Sequence, residues 1–412
     1  MTWLHASVLL TFVFGGQALA AAEAETGGIL LQLFYLIAAA VVGGWLFSRL
    51  RLPAVVGQVL AGVVVGPSVL GVALPSDFNR ALAELGAIFL LFMVGLETRF
   101  SDLLKVGKEA LIVAVLGIAF PMIGGYIFGA FQGYDSIVAL FIGTALVATS
   151  VGITAKVLQE MGVLNTVYAQ IILGAAVIDD ILGLTILAVV SGLGAGEGFS
   201  GSKLLSTLGL SIGFVVAVLA LGIPLLTRIR PALKRVALGN SFGVVLAVGL
   251  GLAGLAAQAG LAPIIGAFLA GMVLSEVKDE YDFENKVRAI EAFLAPIFFA
   301  VVGMQLNLAL LGSGPVLIGG LLLSAIAVLG KLIGGYLGAL SRGKRDAVVV
   351  GVGMVPRGEV GLIVANIGLG LGVVTQTVYA EVLLMVMVTT LVAPIALRAL
   401  VPAPPVASGV KT

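Results

Sequence analysis

Runs of about twenty apolar residues recur along the whole chain, each long enough to carry a helix across roughly 30 Å of hydrocarbon. No other feature restricts the fold of these 412 residues as strongly. Hydrophobic residues make up 60% and charged residues 10%, which excludes a soluble domain of this size. The 57 glycines fit helices that approach closely, backbone against backbone, where no hydrophobic force acts between them. Cysteine is absent, so disulfides and thiolate–metal chemistry play no part. The single histidine, His5, lies too near the start to act as a switch in the body of the protein.

Residues 1–20, MTWLHASVLLTFVFGGQALA, read as a signal peptide, with a short apolar core and a small-x-small cleavage site at Ala18-Leu19-Ala20. Thirteen spans follow at about 29–48, 53–71, 81–97, 107–131, 136–158, 166–192, 202–227, 241–259, 261–275, 289–308, 315–340, 346–370 and 376–400. The expectation is an all-α polytopic membrane protein. With the first span starting outside, eighteen of the 22 basic residues fall in inner loops or the tail, among them Lys156, Arg228, Arg230, Lys234 and Arg235. Only Arg80 and Lys203 fall outside, the bias that the positive-inside rule requires.

Several segments recur at an offset of about 208 residues: VGQVLAGVVVGP with IGAFLAGMVLSE, LLFMVGLET with FFAVVGMQL, and LVATSVGIT with MVPRGEVGL. The paired glycines are Gly57 with Gly266, Gly62 with Gly271 and Gly95 with Gly303. The second and ninth spans are an odd number apart, so the two copies cross the membrane in opposite directions. Five-helix inverted repeats around a linker span at 202–227 are the expectation, an architecture typical of secondary transporters.

Two spans carry matching interruptions: Thr149-Ser150 with Gly152 in the fifth, and Pro356-Arg357-Gly358-Glu359 in the twelfth. Proline lacks an amide donor and clashes with the turn before it, and unwound backbone at this depth must line a cavity or be buried. Glu359 and the hydroxyls of Thr149 and Ser150 are expected to balance the positive half-helix ends. Arg357 has two options, pairing with Glu359 or lying against the negative ends.

Within IILGAAVIDDILGLTILAVV stand Asp179 and Asp180, each costing roughly 2.5–3.5 kcal/mol at the centre of a membrane helix. Neighbours on a helix point about 100° apart, so the two acids cannot do the same job. Ala175, Ala176 and Gly183 nearby leave room for an ion, a water or a close helix. Lys331 lies about 14 Å from the nearer helix end, too deep to reach water comfortably. Gly334, Gly335 and Gly338 clear one face beside it, and the Asp pair is its nearest anionic supply. A fixed ion pair alone does not account for the second acid, since buried pairs are weak stabilisers. An arriving cation lowers the cost of deprotonation, so protons and a cation compete for the same oxygens. An intramembrane aspartyl protease needs its two acids on facing helices, and a channel needs no paired helix breaks; both fit less well.

The motifs LFMVGLE (91–97), ALVATSVGITAKVLQEMGVL (145–164), ILGAAVIDDILGL (172–184), IEAFLAPIFF (290–299), LGKLIGG (329–335) and PRGEVGLIVA (356–365) resemble bacterial Na⁺/H⁺ antiporters of the second cation:proton antiporter family, NapA-type members above all. The resemblance implies a secondary transporter, not an enzyme, with an NhaA-like fold. It implies no cofactor, Na⁺ or Li⁺ and H⁺ as cargo, and a homodimer embedded in lipid of the bacterial inner membrane. Neither nucleic acid nor a soluble partner is implied. By the same resemblance, residues 29–97 and 241–308 form a dimerisation scaffold. Residues 107–192 and 315–400 form a mobile transport core, 202–227 a linker and 401–412 a cytoplasmic tail. Asp180 matches the principal ion-binding acid, which would hold Na⁺ transiently together with Asp179, and Asp179 matches the acid paired with Lys331. Ser150 and Glu359 match the dipole-balancing groups, beside Thr149, Pro356 and Arg357 at the breaks. The Asp-Asp pair resembles electrogenic members. K⁺/H⁺ exchange on the same scaffold is the alternative.

Overall fold

The computed structural model describes residues 28–401, apart from 197, 199, 279–282, 307 and 310–312; within helices, the side chains of 203, 227, 229–241 and 359 lie outside the description. The expected signal peptide and the tail from 402 onward therefore fall outside the described residues. Fifteen α-helices follow in order among those described: α1 (Gly28–Arg49), α2 (Ala54–Val65), α3 (Asp77–Glu97), α4 (Phe100–Lys105), α5 (Gly107–Phe131), α6 (Ser136–Val147), α7 (Val151–Glu160), α8 (Val167–Gly194), α9 (Gly201–Gln258), α10 (Pro263–Ser275), α11 (Glu284–Met304), α12 (Gly314–Ala339), α13 (Lys344–Gly353), α14 (Glu359–Gly370) and α15 (Gln376–Leu400). Among the described residues nine segments are long and apolar enough to cross a membrane, and the shorter apolar helices include Ala54–Val65, Phe242–Gln258 and Pro263–Ser275. Together they account for the thirteen expected spans, once α6 with α7 and α13 with α14 are each counted as one interrupted crossing.

Local signals set several boundaries. Ser76 caps α3 by accepting from the Asn79 amide at 3.1 Å, and Thr375 caps α15 by accepting from Val378 at 3.3 Å. Gly162 and Gly372 follow α7 and α14 with φ of 68° and 70°, the left-handed conformation that ends a helix without a Cβ penalty.

The helices divide into two bundles. α1, α2, α3, the Phe242–Gln258 part of α9, α10 and α11 pack together; α5 to α8 pack with α12 to α15. The inverted repeat is written in the contacts. Gly62 on α2 meets the backbone of Ala300 on α11, while its counterpart Gly271 on α10 meets the backbone of Phe92 on α3. Gly95 on α3 meets Phe268 of α10, and its counterpart Gly303 on α11 meets Val59 of α2. Each partner lies about 208 residues from the corresponding partner in the other copy, so the same two surfaces are used in reverse. α8 packs on α5 as α15 packs on α12, and the correspondence reaches a sixth crossing, because Gly57 on α2 meets Gly43 of α1 as Gly266 on α10 meets Leu252 of α9.

A Cβ at Gly303 would run into the Val59 carbonyl oxygen, which is backbone and cannot swing aside. Gly303→Ala is expected to destabilise the protein by about 2 kcal/mol, read as a lower unfolding midpoint in detergent. Gly251, also in a helix, has nothing within 4 Å of a built Cβ. Gly251→Ala should hold or slightly raise the midpoint; equal effects at both sites would discredit the α2–α11 contact.

One boundary differs from the sequence reading. Spans at 202–227 and 241–259 were expected to be joined by a basic inner loop, yet the backbone stays helical from Gly201 to Gln258. The connecting PALKRVAL is built largely from good helix formers, so its basic residues need not interrupt the helix. Arg228 is exposed there; the side chains of Arg230, Lys234 and Arg235 lie outside the description. Both apolar stretches of α9 still reach α10: Gly222 lies against Val273, and Gly266 faces Leu252 and Ala256.

Candidate functional site

The two interruptions meet at the centre of the second bundle. α6 stops at Val147 and α7 starts at Val151, with Ala148 and Ser150 extended between them. α13 stops at Gly353 and α14 starts at Glu359. The Ser150 amide donates to the Pro356 carbonyl at 2.9 Å, the Thr154 hydroxyl donates to the Gly353 carbonyl at 2.7 Å, and the Thr149 hydroxyl reaches the Met354 carbonyl at 3.4 Å. Backbone groups that lost their partners within one helix thus find them in the other, as a water-free interior demands. Only the second break contains a proline; the first is held open by what it bonds to.

Thr149 has a partner that the sequence did not point to: its hydroxyl hydrogen is directed at the Met354 carbonyl, at the end of α13. Ser150 is the residue preceding α7, but its hydroxyl makes no capping bond to that helix; its Oγ lies close to Gly358. The backbone of Glu359 opens α14, and its side chain lies outside the description.

Of the two options for Arg357, the negative end is occupied: Nη1 donates to the Met354 carbonyl at 3.3 Å. The side chain is completely buried, and Nε and Nη2 have no hydrogen-bond partner among the described residues. Its backbone is clamped by α15, with the amide donating to Thr389 Oγ1 at 3.3 Å and the carbonyl accepting from the Thr390 hydroxyl. Thr389 and Thr390 escaped the sequence reading because a hydroxyl in an apolar helix more often bonds its own backbone.

On α8 the neighbouring acids point different ways. Asp179 faces α12, where Lys331 Nζ bonds both carboxylate oxygens at 2.8 and 2.9 Å, and neither side chain has any solvent exposure. The room for Lys331 comes from Gly117 on α5, which its stem crosses, not from the glycines of its own helix. Gly334 and Gly338 are used up against α5 and Gly335 against α13. The sequence-based placement of that open face is corrected accordingly.

Asp180 faces the other bundle. It lines a small cavity of about 10 Å³ whose walls include Val151 and Val177 from its own bundle and Leu91, Ile264, Ile265 and Phe268 from α3 and α10. The expected small neighbours do not form this space: Gly183 lies near Val147, and Ala175 and Ala176 are buried in the helix contacts. One carboxylate is thus locked to a cation inside a bundle, and the next opens onto the seam between bundles. Among the described residues no group of three or more His, Asp or Glu could hold a resident metal.

Two buried features lay beyond the sequence reading. Lys156, counted there as an inner-loop charge, is drawn into a 2.6 Å ion pair with Glu291 of α11. Glu381, an acid in the apolar α15, is buried against Gly319 and Gly320 of α12, and its Oε2 has no partner among the described residues. Its isolation in that helix was the available signal.

Comparison with known proteins agrees with this fold. The "Sodium/hydrogen exchanger, transmembrane" family matches residues 36–403. The high-affinity Na⁺/H⁺ antiporter NhaS3 of Synechocystis sp. is 34% identical over 90% of this chain and 89% of its own length. The Na⁺/H⁺-K⁺ antiporter GerN of Bacillus cereus is 34% identical over 88% of this chain and 94% of its own. The solved sodium proton antiporter MjNhaP1 of Methanocaldococcus jannaschii shares the fold, with a TM-score of 0.67 at 21% identity over 90% of this chain and 97% of that one. A continuous family match over crossed helix breaks and inverted bundles leads to one assignment: the chain is a multi-pass membrane protein and secondary transporter belonging to the sodium/hydrogen exchanger family.

Proposed function

We propose that this protein exchanges Na⁺ or Li⁺ for protons at Asp180 and Asp179, electrogenically, by alternating access of the second bundle against the first. The observation that carries the reading is the divided pair: Asp179 held by Lys331, and Asp180 on a cavity between the bundles. In the cation-free state Lys331 neutralises Asp179, and Asp180 carries a proton or awaits the ion. A cation arriving on the Asp180 oxygens draws in the Asp179 carboxylate. Lys331 then loses its partner and sheds its proton, which makes the proton count exceed the cation count. Arg357, fixed at the crossing, keeps positive charge near the site throughout.

The seam is suited to sliding where the walls of its cavity are apolar. On this reading α1 to α3 with the last part of α9, α10 and α11 form the fixed, dimerising scaffold. α5 to α8 with α12 to α15 carry the ion as a core, and the first part of α9 is the linker. The N-terminus then lies outside and the C-terminus in the cytoplasm, at the inner membrane. Thr149, Ser150, Pro356, Arg357 and Glu359 keep the broken ends neutral enough to stay in oil.

Proteoliposomes with an imposed pH gradient and added NaCl, LiCl or KCl test this. Na⁺ and Li⁺ are expected to collapse the gradient, with a reversal potential giving more than one proton per cation. No response to any monovalent salt would sink the reading. A second reading, K⁺ transport, is favoured by the name of the Na⁺/H⁺-K⁺ antiporter GerN, which includes both ions; a KCl response equal to that of NaCl would select it.

A further inference from the structure

The ion pair between Lys156 and Glu291 joins the two bundles. Lys156 sits on α7 and Glu291 on α11, and their side chains are 16% and 4% exposed at an N–O distance of 2.6 Å. Lys156 Nζ also donates to Gln159 Oε1 at 3.3 Å, within its own helix. One turn further along α7, Glu160 Oε2 accepts from the Ala54 amide at 3.3 Å. That amide opens α2, where an exposed N–H and the helix dipole favour a carboxylate. The last turn of α7 therefore grips two separate helices of the first bundle, with one charge of each sign. The other buried or strong pairs among the described residues stay inside one bundle: Arg288 with Glu97, Arg342 with Glu109, and Lys331 with Asp179.

We propose that Lys156 and Glu291 form a latch that holds the seam shut at the end where α7 finishes, biasing the carrier against exposing Asp180 on that side. The proposal rests on the alternating-access reading above, on whose topology this end is cytoplasmic. Motion of one bundle along the other must separate two charges that are nearly excluded from water. The separated charges must then be rehydrated, so the pair favours the state in which it is made by whatever free energy it loses on parting. Such a pair changes which face the site visits without touching the ion.

The test uses Leu91→Cys, which places the chain's one thiol in the wall of the Asp180 cavity. Alkylation by an impermeant maleimide added at the cytoplasmic face of membrane vesicles is compared with and without the latch. Lys156→Gln or Glu291→Gln should each speed labelling from that face by roughly tenfold, and slow it from the opposite face. The exchanged pair, Lys156→Glu with Glu291→Lys, should return the rates to within about twofold of the parent. Lys156→Arg, which keeps the charge, should leave them unchanged. Equal rates in the single variants, or acceleration on both faces together, would overturn the latch and leave only a structural fastener. Labelling does not require transport, so a parent protein that labels as expected but exchanges no ions would count against the proposed function and not against the latch.

Discussion

Asp180→Asn is expected to abolish cation-driven proton movement, with a loss of at least a hundredfold in reconstituted vesicles and no loss of folded protein. Asn has nearly the shape of Asp, and the cavity beside position 180 is bounded by side chains the change leaves alone. What disappears is the capacity to trade a proton for a metal ion: an amide has no acidic proton to give up and no full negative charge to offer. Removing a charge from the interior relieves a desolvation cost, so the thermal midpoint should hold or rise. Exchange at the parental rate would take Asp180 out of the site.

Lys331→Ala is expected to have the largest effect on stability, about 3–5 kcal/mol. It removes the cation that bonds both oxygens of Asp179 and leaves that carboxylate wholly buried without its partner. It also opens a void beside Gly117, against which the lysine stem lies. The cause can be separated by a cycle. Lys331→Ala combined with Asp179→Asn should recover most of the loss, because no charge is then stranded. If the double variant is as unstable as the single, packing of the stem outweighs the ion pair. In any protein that remains active, the proton-to-cation ratio should fall toward one, read from the reversal potential.

The fold was legible in the sequence because membrane helices announce themselves through length and hydrophobicity, and because glycines at a fixed offset mark the close contacts. Gly62, Gly95, Gly271 and Gly303 were matched by spacing and turn out to be points where backbones touch. The helix breaks were also legible, one from its proline and the other from its partner's position. The direction each side chain takes was less accessible. Thr149 turned to a carbonyl in another helix, and Lys331 found its space on α5 rather than on its own helix. Lys156 looked like one more positive inner-loop residue, since nothing local marks a charge whose partner is 135 residues away. The continuity of α9 was missed for a related reason. A basic run beside proline and glycine fits a loop as well as a helix that leaves the oil for water.

The bond from Ser150 to Pro356 ties two distant stretches of the gene to a common fate. A change that let α6 run straight into α7 would return the Ser150 amide to its own helix and strand a carbonyl 206 positions downstream. Mending either interruption by itself is therefore worse than leaving both. Sequence drift at this crossing is confined to coordinated steps, and an engineer wishing to close the crossing must alter both halves of the chain in the same stroke.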